Sequence, residues 1–163
     1  MGKFHAVALA AVMSLSLHQA PAADKLQIPQ QGSANYVTYY VTHPLTSLNM
    51  GEAGFRALVE AVGITRNMDG KPLFDKMAVR CLFYSEVVGG KAAGNGACTE
   101  TDGDSDEVFT TFDAAAKVHT LRGGTGKYKG ISGRATYTLS TLPAPGPGWG
   151  AIMVEHKLTW QFK

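Results

Sequence analysis

Polar and apolar residues alternate with a period of two along much of this chain. From Ala151 to Phe162 the apolar face carries Ile152, Val154, His156, Leu158, Trp160 and Phe162. Glu155, Lys157, Thr159 and Gln161 take the other. A strand sends successive side chains to opposite faces, so this spacing predicts a half-buried β-strand. Arg134 to Ser140 alternates in the same way, and so does Met77 to Glu86, with Val79, Cys81 and Phe83 on one face. Asn35 to Thr42, Glu107 to Phe112 and Lys117 to Arg122 are short runs rich in β-branched and aromatic residues; they predict three more strands. His43-Pro44 is expected to end the first. Asp69-Gly70, Gly89-Gly90, Gly94-Asn95-Gly96, Asp102-Gly103 and Gly123-Gly124 read as hairpin or loop punctuation between strands. Pro143 to Gly148 reads as a stiff linker before the last strand. Short strands divided by such turns predict an all-β barrel or sandwich.

Asn49 to Gly63 admits two readings. Asn49 stands three residues before Glu52 as in a capping box, and Phe55, Leu58, Val59 and Val62 follow at helical spacing. Gly51 and Gly54, however, would each weaken a helix start by up to about 1 kcal/mol relative to alanine. As a strand, Phe55, Ala57, Val59 and Ala61 share one face, and Leu58, Glu60, Val62 and Ile64 the other. The local signal leans to helix, and the family resemblance described below tips it to strand.

Composition narrows the setting. The chain has 163 residues, of which 17% are charged, and a net charge of +2. That leaves no basic footprint for nucleic acid and no polybasic membrane patch. Residues 1–23 read as a removable secretory leader. Lys3 and His5 precede an apolar run, Ala6 to Leu17, and the small residues Ala20-Pro21-Ala22 follow. The run is too short to span a bilayer as a helix. Cleavage after Ala22 or Ala23 would export the protein to the periplasm or beyond the cell. Residues 24–34 read as a loose polar leader, and 35–163 as one domain.

An oxidising compartment favours a disulfide between the two cysteines, Cys81 and Cys98. No CxxC or HxH spacing accompanies them to suggest a metal, and neither has a neighbouring base to suggest a catalytic thiol. Met77 to Glu86 and Ala97 to Thr101, paired around a Gly89–Gly96 loop, would set Cys81 opposite Cys98 within bridging reach.

Gly123-Gly124-Thr125-Gly126, then Tyr128, Gly133 and Tyr137, resembles the signature of the allene oxide cyclase and dirigent superfamily. Cys81, Cys98 and the run from Asp102 to Phe109 resemble an exported bacterial branch of the same barrel. The resemblance covers roughly Tyr36 to Phe162 and implies an eight-stranded antiparallel β-barrel of the calycin-like kind. Plant members are often trimeric, so it also implies a homo-oligomer. No catalytic position is carried across. The glycine motif has its own physical reading: Gly123, Gly124 and Gly126 permit positive φ at a turn, Tyr128 folds inward as a plug, and Gly133 starts the next strand close to its neighbour. A phosphate loop fits poorly, because Leu121 stands where Walker A needs glycine and Ile131 to Ser140 reads as strand.

Candidate chemistry is sparse. Asp102, Asp104 and Asp106 copy the first three ligand positions of an EF-hand, but Glu107 replaces the glycine of the sharp turn and Asp113 the final glutamate. They are a weak metal candidate beside the simpler reading of a solvated hairpin tip. GxSxG, HExxH and SxxK are absent, and no cofactor is expected. Outside the leader, His43, His119 and His156 are too dispersed for a recognisable metal triad. His156 lies on an apolar face and Glu60 among apolar neighbours. Both are therefore expected to face the barrel interior, pair there and hold the polar end of a ligand. Three functions remain in view: a barrel whose lumen binds a small, mostly apolar molecule, a cyclase- or dirigent-like isomerase of a hydrophobic intermediate, and a filled barrel with a structural or surface role.

Overall fold

The computed structural model describes residues 27–163, so the leader expected over 1–23 lies outside the described residues. Eight strands form a closed antiparallel barrel in chain order: β1 (Gln31–Asn49), β2 (Phe55–Asn67), β3 (Ala78–Val88), β4 (Lys91–Thr101), β5 (Glu107–Asp113), β6 (Val118–Gly124), β7 (Ile131–Leu142) and β8 (Gly150–Phe162). β1 and β8 complete the ring, in register from Gln31 opposite Gln161 to Thr42 opposite Gly150. This is the eight-stranded antiparallel barrel expected from the alternation and the resemblance. Closure leaves no unpaired sheet edge to be shielded.

Several boundaries differ from the sequence expectation. β1 begins at Gln31, inside the segment read as a loose leader, because β8 offers it ladder partners. Gly32 is suited to that place, since a Cβ there would come within 2.5 Å of the Trp160 ring. β1 also continues through His43-Pro44 to Asn49, and a register shift between Pro44 and Thr46 absorbs the proline. The ambiguous 49–63 stretch is a short 3-10 turn, Gly51–Ala53, followed by β2. Positive φ at Gly51 (61°) and Gly54 (96°) ends any helix there, and β1 and β3 supply partners on both sides of β2. The β3–β4 turn is only Gly89-Gly90, at φ 56° and 74°, the left-handed pair that a two-residue hairpin demands. Gly94 and Gly96 therefore belong to β4 and not to a loop.

The strand order gives the barrel two unlike ends. The β2–β3, β4–β5 and β6–β7 connections share one end with both chain segments that flank the barrel. That end is packed shut. Leu73, Phe74 and Met77 from the β2–β3 connection join Tyr128, Ile131, Leu158 and Trp160 in one buried cluster. Tyr128 is 1% exposed and serves as the plug. Among the motif glycines, Gly123 (φ 129°) and Gly126 (φ 47°) are left-handed. Gly124 is needed for space instead: a Cβ would overlap the Glu107 carbonyl and stand 2.6 Å from Cβ of Tyr128. A second cluster, Tyr40, Ala61, Val79, Cys81, Cys98, Tyr137 and Val154, lines the half nearer the other end.

Candidate lumen site

Side-chain size along four strands opens a cavity at that second end. β4 reads Lys91-Ala-Ala-Gly-Asn-Gly-Ala97, so its lumen side near the mouth carries nothing larger than a methyl group. Ala61 on β2 and Ala114 at the β5–β6 turn are equally small. Phe83, Phe112, Tyr137, Leu139, Ile152 and Val154 stand around them, and the space left over is a cavity of about 200 Å³ open at one end. Alternation places these side chains inward, and β4's missing bulk keeps them from being covered.

The floor of the cavity is polar. His119 lines it, stacked on Phe112 (ring centroids 5.3 Å apart) and edge-on to Tyr137 (5.1 Å). Directly beneath, the His156 ring lies 4.8 Å from that of His119 and stacks on Tyr36 at 4.3 Å. His156 Nε2 lies 3.4 Å from the Thr38 hydroxyl, while its Nδ1 and that of His119 have no protein partner. Burial pushes His119 down to about 4. Burial, and then the neighbouring His119, hold His156 well below the ordinary imidazole range. Both rings are neutral at pH 7.

Glu100 completes this layer. It is 2% exposed, faces inward two residues after Cys98, and its Oε2 has no hydrogen-bond partner. Burial pushes its carboxyl up to about 8, which makes it a neutral acid at pH 7. Tyr36 and Tyr40 are raised as well, first by burial and then by Glu100. The Tyr36 hydroxyl and Thr110 Oγ1 are likewise buried without partners. The barrel thus holds three storeys: an apolar plug, a layer of neutral polar groups with unused hydrogen-bonding capacity, and an aromatic-walled cavity.

His156 faces inward as its alternation indicated, but Glu60 does not join it. On β2 the inward parity runs through Ala57, Val59, Ala61, Gly63, Thr65 and Asn67, and Glu60 points outward with Leu58, Val62 and Ile64. Its carboxylate accepts a hydrogen bond from Arg80 Nε at 2.7 Å, the cross-strand neighbour on β3. Interior space decides the parity. Tyr40 and Phe83 already crowd the lumen beside β2, so its small residues turn inward and its larger apolar ones face out. Local alternation defines which residues share a face and leaves open which face is inner. Glu100 shares parity with Cys98 on β4, but nothing along the chain marks that face as the inner one.

The acidic tip is a latch. Lys127 Nζ lies among three carboxylates, 2.5 Å from Asp102, 2.6 Å from Asp104 and 3.3 Å from Asp106. The Tyr128 hydroxyl donates to Asp102 at 2.9 Å. Partial burial works to raise the Asp102 pKa, but hydrogen bonds from Lys127, Tyr128 and the Asp104 and Asp106 backbones outweigh it and hold it low. The cation these aspartates gather is thus the chain's own ammonium group, where an EF-hand would place calcium. Cys81 and Cys98 face each other in the β3–β4 register and form a disulfide, with Cα atoms 4.0 Å apart. Cys81 lines the cavity, its sulfur 3.9 Å from the Tyr40 hydroxyl.

No family model and no curated protein matches this chain. Among solved structures, it is similar to a pterocarpan synthase dirigent protein, with 11% identity over 90% of this chain and 100% of the other, at a TM-score of 0.48. That likeness is one of strand arrangement and brings no residue or activity to this chain.

Proposed function

We propose that this barrel is an exported carrier or receptor whose lumen binds one small, mostly apolar molecule. The observation that carries this reading is the cavity of about 200 Å³, walled by aromatic and aliphatic side chains and open at one end of a barrel whose other end is plugged. A dry apolar space of roughly 150 Å³ is enough to hold a benzene-sized guest. Export, to the periplasm or outside the cell, is supported by the leader-like pattern of residues 1–23 and by the disulfide. The exported bacterial branch named by the resemblance fits the same setting.

The test is calorimetric titration of the folded protein with indole, an uncharged apolar probe. Saturable binding at one site is expected, and Ala92→Trp at the cavity rim should abolish it without unfolding the barrel. Absence of binding, or binding that survives the rim variant, would remove the lumen from consideration.

An isomerase acting on a hydrophobic intermediate is the second reading. What favours it is the buried layer of Glu100, His119 and His156, whose unpartnered polar atoms resemble the poised acids and bases of active sites. Catalysed isomerisation of a reactive hydrophobic molecule, abolished by Glu100→Gln with the fold intact, would establish it.

A further inference from the structure

We propose that the lumen site selects its ligand by charge state, taking an apolar molecule with one uncharged hydrogen-bonding group and rejecting the anionic and cationic forms of the same skeleton. The proposal rests on the lumen-binding reading and names the ligand class for that site.

The geometry carries it. No lysine, arginine, aspartate or glutamate lines the cavity. The polar side chains lining it are all uncharged in kind: the ring of His119 and the hydroxyls of Tyr40, Tyr84, Ser85 and Tyr137. Across the eight strands, the inward positions carry one carboxyl group, Glu100, and no lysine or arginine. An ionic head entering here would leave water without meeting an opposite charge, and such transfers are resolved by losing the charge. A hydroxyl would instead meet the His119 ring and the hydroxyls that line the cavity, none of which demands a counter-charge. The protein's own side chains behave in this way. Glu100 is raised by burial until it is a neutral acid, and His119 and His156 are lowered by burial until they are neutral bases. An environment that strips charge from acid and base alike favours neither ion.

The expected selectivity follows from the fraction of each ligand that is uncharged. A carboxylic acid of pKa about 4.3 is neutral only to roughly one part in 500 at pH 7, and an alkylamine of pKa about 10.4 to less than one part in 1,000. Apparent affinity falls by that fraction when only the neutral form binds. Between pH 6 and 7 the lumen itself does not titrate, since Glu100 stays protonated and His119 stays neutral.

The test titrates cyclohexylmethanol, cyclohexanecarboxylate and cyclohexylmethylamine calorimetrically into the folded, oxidised protein. At pH 7 the alcohol should bind at least about 100-fold more tightly than either ion. From pH 7 to 6 the carboxylate should gain about tenfold and take up one proton, the amine should lose about tenfold, and the alcohol should not change. Either ion binding within tenfold of the alcohol, or a carboxylate affinity independent of pH, overturns the proposal while indole binding keeps the lumen reading intact. Indole binding with no binding by the alcohol also overturns it. Failure of indole itself defeats the lumen reading and this inference together.

Discussion

Replacing Glu100 with glutamine should abolish a fall in stability that the native protein shows above neutral pH. The folded carboxyl is pushed up to about 8 by burial, whereas an unfolded one titrates near 4.5. Between those values the folded protein retains a proton that the unfolded chain releases. Rising pH therefore favours unfolding, and the loss levels off above about 8. His119 and His156 act oppositely: their folded values lie below the ordinary 6.5, so the unfolded chain binds the extra protons and stability rises with pH until about 6.5. From pH 6.5 to 8 Glu100 acts without them. At 1.36 kcal/mol per pH unit, the native protein should lose about 2 kcal/mol across that window. Glutamine has nearly the same shape, cannot ionise, and keeps a hydrogen-bonding end group. Urea unfolding of both proteins at several pH values from 6 to 8.5 measures the difference. Parallel profiles would show that Glu100 is ionised in the folded state, and the description of a neutral lumen layer would then be wrong.

Three further outcomes follow from other parts of the barrel. Lys127→Met should destabilise by about 3 kcal/mol, since it strips charge-assisted hydrogen bonds from the partly buried Asp102 and leaves three carboxylates together. The melting temperature should fall by roughly 10 °C at pH 7, and the gap should narrow in acid as pH falls through the lowered pKa of Asp102; equal melting at pH 7 would refute the latch. Gly126→Ala should cost more than Gly123→Ala, because a Cβ at 126 combines positive φ with overlap of the Asp106 carboxylate, whereas at 123 it meets open space and only φ strain of about 1 kcal/mol. Thermal melts that rank the two in the opposite order would show that the Asp106 contact does not constrain the loop. Alkylation of the unreduced protein should label no thiol, and Cys81→Ser with Cys98→Ser should lower stability by about 3 kcal/mol for a cross-link spanning 17 residues; two reactive thiols in the unreduced protein would exclude the bond.

What could be read along the chain was whatever depends on near neighbours. Alternation located β3, β7 and β8, and Gly89-Gly90 marked a tight turn, because a strand's period and a left-handed turn are properties of consecutive residues. The Cys81–Cys98 pair was legible because one hairpin fixes its register. His156 could be placed on an apolar face for the same reason. Decisions taken between distant strands were not legible. The 49–63 segment has helix-compatible spacing and is a strand because β1 and β3 flank it. Glu60 lies outside because β2 turns its small residues toward a lumen that Tyr40 and Phe83 already occupy. Glu100 sits in an unremarkable Cys-Thr-Glu stretch, and only closure of the barrel buries it in one layer with Tyr36 and Tyr40. The cavity is the plainest case: five alanines and glycines between Ala92 and Ala97 on β4 mean nothing alone, and they become a binding space only when the ring sets aromatic walls opposite them. Volume, burial and pKa belong to enclosures, and an enclosure is made by all eight strands at once.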